Sequence, residues 1–116
     1  MFDKFKDWLG GAHGPSVDVR TLHGMLQETP CPLLIDVRTE FEFRTGRIAC
    51  AVHVPMSEVM QRVPDLAEGR EGRVFLICQT GNRSTGAQQS LNPLGVATIN
   101  VTGGMRAWEA AGFPID

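Results

Sequence analysis

Short apolar runs alternate with amphipathic stretches along this chain of 116 residues, from Ser16 onward. Apolar runs bounded by turn residues predict strands, and we place five of them at residues 17–19, 33–35, 51–54, 74–77 and 97–101. Apolar residues spaced three and four apart predict helices between these strands. Because strands that alternate with helices are typical of α/β domains, we expect a central five-stranded parallel sheet with helices on both faces.

Polar residues and prolines mark where the predicted helices begin and end. Candidate N-cap residues precede three of the helices: Thr21, Thr39 and Ser57. Thr39 and Glu42 have the spacing of a capping box. Pro64 is expected to cut the third helix, and Pro93 is expected to bias Asn92 away from helical geometry and so end the fourth.

The first fifteen residues differ in pattern from the rest of the chain. Residues 2–9 predict a short amphipathic helix with four apolar side chains on one face: Phe2, Phe5, Trp8 and Leu9. The charges of this helix cancel, which weakens attraction to anionic lipid, so a tail that folds back or frays is favoured over a docking or membrane-surface helix. A joint rich in glycine follows. We therefore expect a tail over residues 1–15 and a folded domain over residues 16–116.

Composition and charge exclude several classes of protein. With 42% hydrophobic and 21% charged residues, one compact domain is expected rather than a disordered chain. A net charge of −2 offers nucleic acid no general basic surface, and no apolar run approaches the ~20 residues of a membrane span. Lysine occurs only as Lys4 and Lys6, so the folded part contains no P-loop motif. We expect a monomer with neither a nucleic-acid partner nor a membrane span.

The cysteines and histidines do not have the spacing of a metal site. Cys31, Cys50 and Cys78 form no C-x-x-C motif, and the three histidines lie far from one another in the sequence. We therefore expect neither a metal nor a cofactor. The N-terminus contains Asp3 and Asp7 and too short an apolar stretch for a secretory signal, so the reducing cytoplasm is the expected compartment. In that compartment a cysteine is more often reactive or buried than bridged.

The segment with the clearest chemistry lies between the fourth predicted strand and the helix after it. It consists of seven residues: Cys78, Gln79, Thr80, Gly81, Asn82, Arg83 and Ser84. A cysteine at the carboxyl end of a strand and at the N-terminus of a helix faces backbone N–H groups, which favour the thiolate. Gly81 tolerates the positive φ that would turn the loop amides inward, and Arg83 adds a positive charge for an anionic substrate. The loop therefore predicts a nucleophilic thiolate.

This loop resembles the active-site loop of the rhodanese-like sulfurtransferases, and three further motifs agree with that family. Residues 33–38, LLIDVR, resemble its strand ending in D-V-R. Residues 43–55, FRTGRIACAVHVP, align without gaps to its aromatic-x-x-G-H-I-x-G-A-x-x-x-P signature. Residues 101–108 and 111–115 resemble its closing G-G-x-x-A-W…A-G-x-P motif. The resemblance covers about residues 16–116 and implies a three-layer sandwich around the parallel sheet.

The resemblance also implies a mechanism. The Cys78 thiolate would attack the outer sulfur of thiosulfate or a persulfide donor and become a persulfide. An acceptor such as cyanide, a small thiol or a protein cysteine would then remove that sulfur. The loop amides from Gln79 to Ser84 would stabilise the anionic sulfur. For Asp36 and Arg38 two roles are weighed evenly, bracing of the loop and an internal ion pair.

Two positions depart from the family's signature. Arg47 stands where the signature has histidine, and Cys50 stands where it has glycine. Cys50 is interpreted either as a resolving thiol for Cys78 or, with more weight, as a small buried hydrophobic residue. Cys31 is likewise interpreted as a small buried hydrophobic residue, with still more weight.

Two other functions remain open at this point. The same fold family includes dual-specificity phosphatases, whose C-x5-R loop cradles a phosphoryl group. Only four residues separate Cys78 from Arg83, so the shorter loop favours sulfur transfer. The second alternative is a sulfur-carrier or redox-sensing interaction module with little turnover.

Overall fold

A computed structural model describes residues 14–70 and 72–116, and the strands of these residues form a single parallel sheet. The strands are β1 (Ser16–Val17), β2 (Leu33–Asp36), β3 (Val52–His53), β4 (Val74–Ile77) and β5 (Ile99–Val101). Their order across the sheet is β1-β5-β4-β2-β3, and every pair is parallel. The predicted five-stranded parallel sheet is confirmed. The helix predicted at residues 2–9 lies outside the described residues.

Helices cover both faces of the sheet and give the predicted three layers. They are α1 (Val19–Met25), α2 (Glu40–Thr45), α3 (Val59–Ala67), α4 (Asn82–Leu91) and α5 (Gly104–Ala110). On one face, α3 and α4 bury side chains such as Val63 and Leu91 against β2 and β4. On the other face, α1 and α5 bury Leu22 and Trp108 against the opposite sides of the same strands. Both faces of β2 and β4 are therefore withdrawn from water, as their continuous apolar sequences predicted.

The start of α1 differs from the prediction. The helix begins at Val19, so β1 is shorter than expected, and its N-cap is Asp18 rather than Thr21. The Asp18 carboxylate accepts the backbone N–H of Thr21 at 2.8 Å. Asp18 has the extended backbone that an N-cap needs, whereas Thr21 already lies within the first helical turn. The capping box of Thr39 and Glu42 at the start of α2 is confirmed.

The prediction for α3 was wrong at both ends. A 3-10 turn, Met56–Glu58, precedes the helix, so Ser57 lies within this turn and does not cap α3. The helix continues through Pro64 to Ala67. Pro64 removes one helical hydrogen bond, but Val63 is fully buried and the turn around it is held by packing against the sheet.

Helix α4 ends early, as predicted, but for a different reason. Asn92 keeps helical dihedral angles, φ −57° and ψ −49°, although it precedes Pro93. The chain tightens there into a 3-10 turn, Asn92–Leu94, and leaves it at Gly95, whose φ is +78°. Proline is tolerated at the start of such a turn because its missing N–H would have no partner there.

The register of the sheet determines which loops lie together. Asp36 pairs with Ile77, so β2 and β4 end side by side at the carboxyl edge of the sheet. The residues that follow them, including Arg38 and Cys78, are therefore neighbours. The loops that precede β2 and β3 lie at the opposite, amino edge.

Candidate active site

Cys78 is the first residue after the central strand β4, and the loop that follows encloses its sulfur. Sγ accepts the backbone N–H of Gly81 at 3.0 Å and that of Ser84 at 3.4 Å. The Ser84 hydroxyl lies 3.3 Å from the same sulfur. Only 1% of Cys78 is exposed, so the sulfur is held in a ring of donors and largely removed from water.

These contacts set the ionisation of the thiol. Burial opposes the charged form and on its own would raise the pKa of Cys78. The hydrogen bonds from Ser84, Gly81 and Thr80 outweigh burial and hold the pKa of this thiol below its usual value. Helix α4 begins directly after Gly81, so its positive dipole end faces the same sulfur. The loop therefore favours a thiolate, as its sequence predicted.

Two glycines allow the loop to take this shape. Gly81 has φ +102°, in the left-handed region that residues with a side chain rarely adopt. Gly104, at the start of α5, has φ +55°, and a Cβ there would collide with the backbone oxygen of Cys78. This close approach lets the N–H groups of Met105 and Arg106 donate to the carbonyls of Cys78 and Gln79, at 2.8 and 3.0 Å. Helix α5 thus fixes the base of the loop.

Asn100, in the middle of β5, is a site residue that the sequence analysis missed. The Ser84 hydroxyl contacts both the Asn100 side-chain oxygen and Cys78 Sγ. A hydroxyl has one proton, so Ser84 donates to one of these acceptors at a time. Asn100 therefore competes with the thiolate for that proton. The signal available in the sequence was a polar residue between Ile99 and Val101 in a strand buried on both faces.

Asp36 and Arg38 form an internal ion pair, and Arg38 also contacts the cysteine loop. The Arg38 guanidinium forms a buried ion pair with the Asp36 carboxylate, with its closest N–O distance at 2.8 Å. Arg38 also donates to the Gly46 carbonyl at 2.7 Å and to Gln79 Oε1 at 3.3 Å. Arg38 thus links the ion pair to Gln79 of the cysteine loop and to Gly46, the residue directly after α2.

Arg83 is paired with a carboxylate that the sequence analysis did not assign to the site. Its two terminal nitrogens each lie 2.8 Å from an oxygen of Glu42. The hydrogen bonds from Arg83 lower the pKa of Glu42 to about 2, against an opposing effect of burial. Glu42 is also the capping-box residue of α2, so one carboxylate caps a helix and orients Arg83. The positive charge of Arg83 is therefore partly balanced before any substrate binds.

The remaining loop residues lie at the rim of the site. Thr80 and Asn82 are exposed, whereas Gln79 is half-buried through its contact with Arg38. Thr80 contributes its backbone N–H to the environment of the sulfur. Arg47 is not part of this ring of donors: its guanidinium carbon lies 5.0 Å from the centroid of the Phe43 ring.

The structure contradicts the favoured interpretation of the other two cysteines. Cys31 and Cys50 are both exposed, because they lie in the loops before β2 and β3 rather than in the apolar layers. Their edge of the sheet is opposite to that of Cys78. A strand of four residues separates the two edges by ~13 Å, at ~3.3 Å per residue. Cys50 therefore cannot act as a resolving thiol for Cys78 of the same domain.

Two searches of the described residues bear on other classes of function. Across residues 14–70 and 72–116, no helix is long and apolar enough to cross a membrane. In the same part of the chain, no group of three or more metal-ligating side chains lies together.

The fold and the site together define a class: α/β domains in which a cysteine after the central strand lies within a ring of loop amides. The family model for the rhodanese-like domain matches residues 5–111. A sulfurtransferase of Allochromatium vinosum is 33% identical over 100 residues, which cover 85% of this chain and 92% of that protein. The chain belongs to the rhodanese-like family of sulfurtransferases.

Solved structures agree with this assignment. A rhodanese-related protein from Thermoplasma volcanium superimposes with a TM-score of 0.76 at 30% identity, over 87% of this chain and 96% of that one. A thiosulfate sulfurtransferase from Pseudomonas aeruginosa gives a TM-score of 0.80 at 25% identity, over 99% of this chain and 22% of that one. The resemblance first seen in four sequence motifs is confirmed at the level of the family and of the fold.

Proposed function

We propose that this protein moves a sulfane sulfur from thiosulfate, or from a persulfide donor, to a thiophilic acceptor through a persulfide on Cys78. The observation that carries the proposal is the ring of donors around Sγ, with the Gly81 N–H at 3.0 Å and the Ser84 groups close by. The lowered pKa of Cys78 supplies the nucleophile. The similarity to a protein described as a thiosulfate sulfurtransferase supports thiosulfate as the donor.

In the first half-reaction, the Cys78 thiolate attacks the outer sulfur of thiosulfate. A new S–S bond forms to Cys78, the S–S bond of thiosulfate breaks, and sulfite leaves with the electron pair. The product is an anionic persulfide on Cys78. Because the nucleophile is already ionised and sulfite is a stable anion, no proton has to move in this step.

In the second half-reaction, cyanide or the thiolate of an acceptor attacks the outer sulfur of the persulfide. The acceptor keeps that sulfur, and the electron pair of the broken S–S bond returns to Cys78 as a thiolate. The acceptor is a small thiol or a protein cysteine in this proposal. The loop amides stabilise the anionic sulfur before and after transfer.

Arg83 has the role of attracting the anionic donor in this mechanism. Its side chain is 38% exposed, so solvent and a small anion can reach the guanidinium. Glu42 holds the guanidinium in place through both of its oxygens. Asp36 and Arg38 act as positioning residues, since their contact with the loop is through Gln79.

The length of the loop favours a sulfur atom over a phosphoryl group. The backbone N–H groups of Gly81 and Ser84 lie 3.0 and 3.4 Å from Sγ, so the ring closes around a single sulfur. We therefore expect no hydrolysis of aryl phosphates. The reduced thiol that this chemistry needs supports action in the cytoplasm, and we propose that the chain acts as a monomer.

The test is the intact mass of the protein after incubation with thiosulfate. We expect the gain of one sulfur atom, removed by cyanide with release of thiocyanate over many turnovers. Cys78→Ser should abolish the gain, and Cys31→Ser and Cys50→Ser are the matched controls that should keep it. A cyanide-removable sulfur on the Cys78→Ser variant would contradict the proposal. Loading without repeated turnover would indicate a sulfur carrier, and Cys78-dependent hydrolysis of an aryl phosphate would indicate a phosphatase.

A further inference from the structure

Two cysteines that take no part in the proposed mechanism lie close together at the amino edge of the sheet. Cys31 precedes β2 by two residues, and Cys50 precedes β3 by two residues. These strands are paired in parallel, with Ile35 opposite Val52, so the loops that enter them run side by side. Both cysteines are exposed. They therefore form a thiol pair accessible to reagents in solution.

The pairing of β2 with β3 brings Cys31 near enough to Cys50 to affect its ionisation. Cys31 donates its S–H to the Pro32 carbonyl at 3.4 Å, which leaves its sulfur lone pairs free to accept. Loss of water around the Cys50 sulfur, and then the charge and hydrogen bond of Cys31, raise the pKa of Cys50. The side-by-side course of the two loops and this effect of Cys31 on Cys50 agree that the two side chains are neighbours.

We propose that Cys31 and Cys50 form a reversible disulfide and make a redox site separate from Cys78. The oxidant is the disulfide form of a small thiol, of which oxidised glutathione is the probe. This chemistry uses no group of the Cys78 loop, so it does not depend on the proposed sulfur transfer.

The exchange takes place in two balanced steps. The thiolate of one cysteine attacks the small disulfide, forms a mixed disulfide and releases one small thiolate. The thiolate of the second cysteine then attacks the protein sulfur of that mixed disulfide and releases the second small thiolate. The cysteine pair loses two electrons, the small disulfide gains two, and the two thiol protons pass to the released thiolates.

The segment between the two cysteines gives this disulfide a structural consequence. Residues 32–49 contain Asp36, Arg38 and Glu42, the side chains that hold Gln79 and Arg83. A bond between Cys31 and Cys50 closes this segment into a loop and restricts the unfolded chain. The oxidised protein is therefore more resistant to unfolding.

The experiment exposes the folded protein to oxidised glutathione, blocks the remaining thiols by alkylation after denaturation, and measures the intact mass. We expect Cys78→Ser, which lacks the reactive loop thiolate, to lose two alkylation sites, with no glutathione attached. Protease digestion should give one peptide pair joined through Cys31 and Cys50. When Cys31→Ser or Cys50→Ser is combined with Cys78→Ser, the one remaining cysteine should carry a single glutathione. Serine fits both positions because both side chains are exposed.

Three results would overturn the inference. The first is two separate glutathione adducts on Cys78→Ser, which would show that the Cys31 and Cys50 sulfurs cannot meet in the folded state. The second is a disulfide that involves Cys78, or one that joins two chains. A disulfide between chains is recognised because its formation depends on protein concentration. The third is an unfolding temperature that does not rise on oxidation of the Cys78→Ser variant and return on reduction.

Discussion

The hydroxyl of Ser84 offers the most direct test of how the loop ionises Cys78. It lies 3.3 Å from Sγ, and Ser84→Ala removes it while leaving the backbone N–H groups in place. A hydrogen bond to a charged group contributes about 1.5–3 kcal/mol. The contact is long and Asn100 competes for the same proton, so we take the lower end, about 1.5 kcal/mol. This corresponds to a rise of about one unit in the pKa of Cys78.

The assay is the rate at which iodoacetamide alkylates Cys78 as a function of pH, in a chain that also carries Cys31→Ser and Cys50→Ser because both of those thiols are exposed. The midpoint of this pH dependence reports the pKa of Cys78. We expect the midpoint for Ser84→Ala to rise by about one unit. Ser90→Ala is the matched control, because Ser90 lies on the same helix and is exposed. Asn100→Ala should shift the midpoint the opposite way, since Ser84 then donates only to Cys78. An unchanged midpoint in Ser84→Ala, or a rise in Asn100→Ala, would refute the reasoning.

Three further substitutions test other parts of the site. Arg83→Ala should lower kcat/KM for thiosulfate about tenfold, with little change in alkylation of Cys78 by a neutral reagent; an equal loss with both would show that Arg83 shapes the loop. The pKa of Glu42 is lowered from 4.5 to about 2, so the unfolded chain binds more protons between these values and stability falls as the pH falls. Between pH 5 and pH 2, the free energy of unfolding measured by urea titration should fall by about 1 kcal/mol less in Glu42→Gln than in the native protein. This figure allows for solvent screening. Gly104→Ala should destabilise the protein by at least about 2 kcal/mol in urea, whereas the control Gly86→Ala, with open space around it, should not.

The parts of the fold that depend on neighbouring residues were predictable from the sequence. The apolar run of β4 and the position of Cys78 after it are local features, and the structure confirms the strand. The boundaries of α1 and α3 were not predictable in the same way. Asp18 and Thr21 both suit an N-cap, and only the path of the chain out of β1 decides between them. At Pro64, packing of the buried helix face outweighed the local preference of one residue.

The site shows the same division between local and distant information. The loop amides follow from the residues next to Cys78, whereas the partners of the loop come from elsewhere in the chain. Glu42 lies 41 positions before Arg83, and Asn100 lies 16 positions after Ser84. No periodicity in the sequence connects these pairs. The exposure of Cys31 and Cys50 was likewise missed, because the usual burial of free cysteine says nothing about a loop at the sheet edge.

The contact between the cysteine loop and α5 has a consequence for synthesis of the chain. The carbonyls of Cys78 and Gln79 are held by the amides of Met105 and Arg106, and Met105 lies 27 positions after Cys78. During synthesis Cys78 emerges from the ribosome before Met105 and Arg106 do. Until α5 packs against the loop, the carbonyls of Cys78 and Gln79 lack these donors. The loop amides are then not held around the sulfur. In the growing chain the loop therefore does not lower the pKa of Cys78. The thiolate is favoured only when nearly the whole domain has been made.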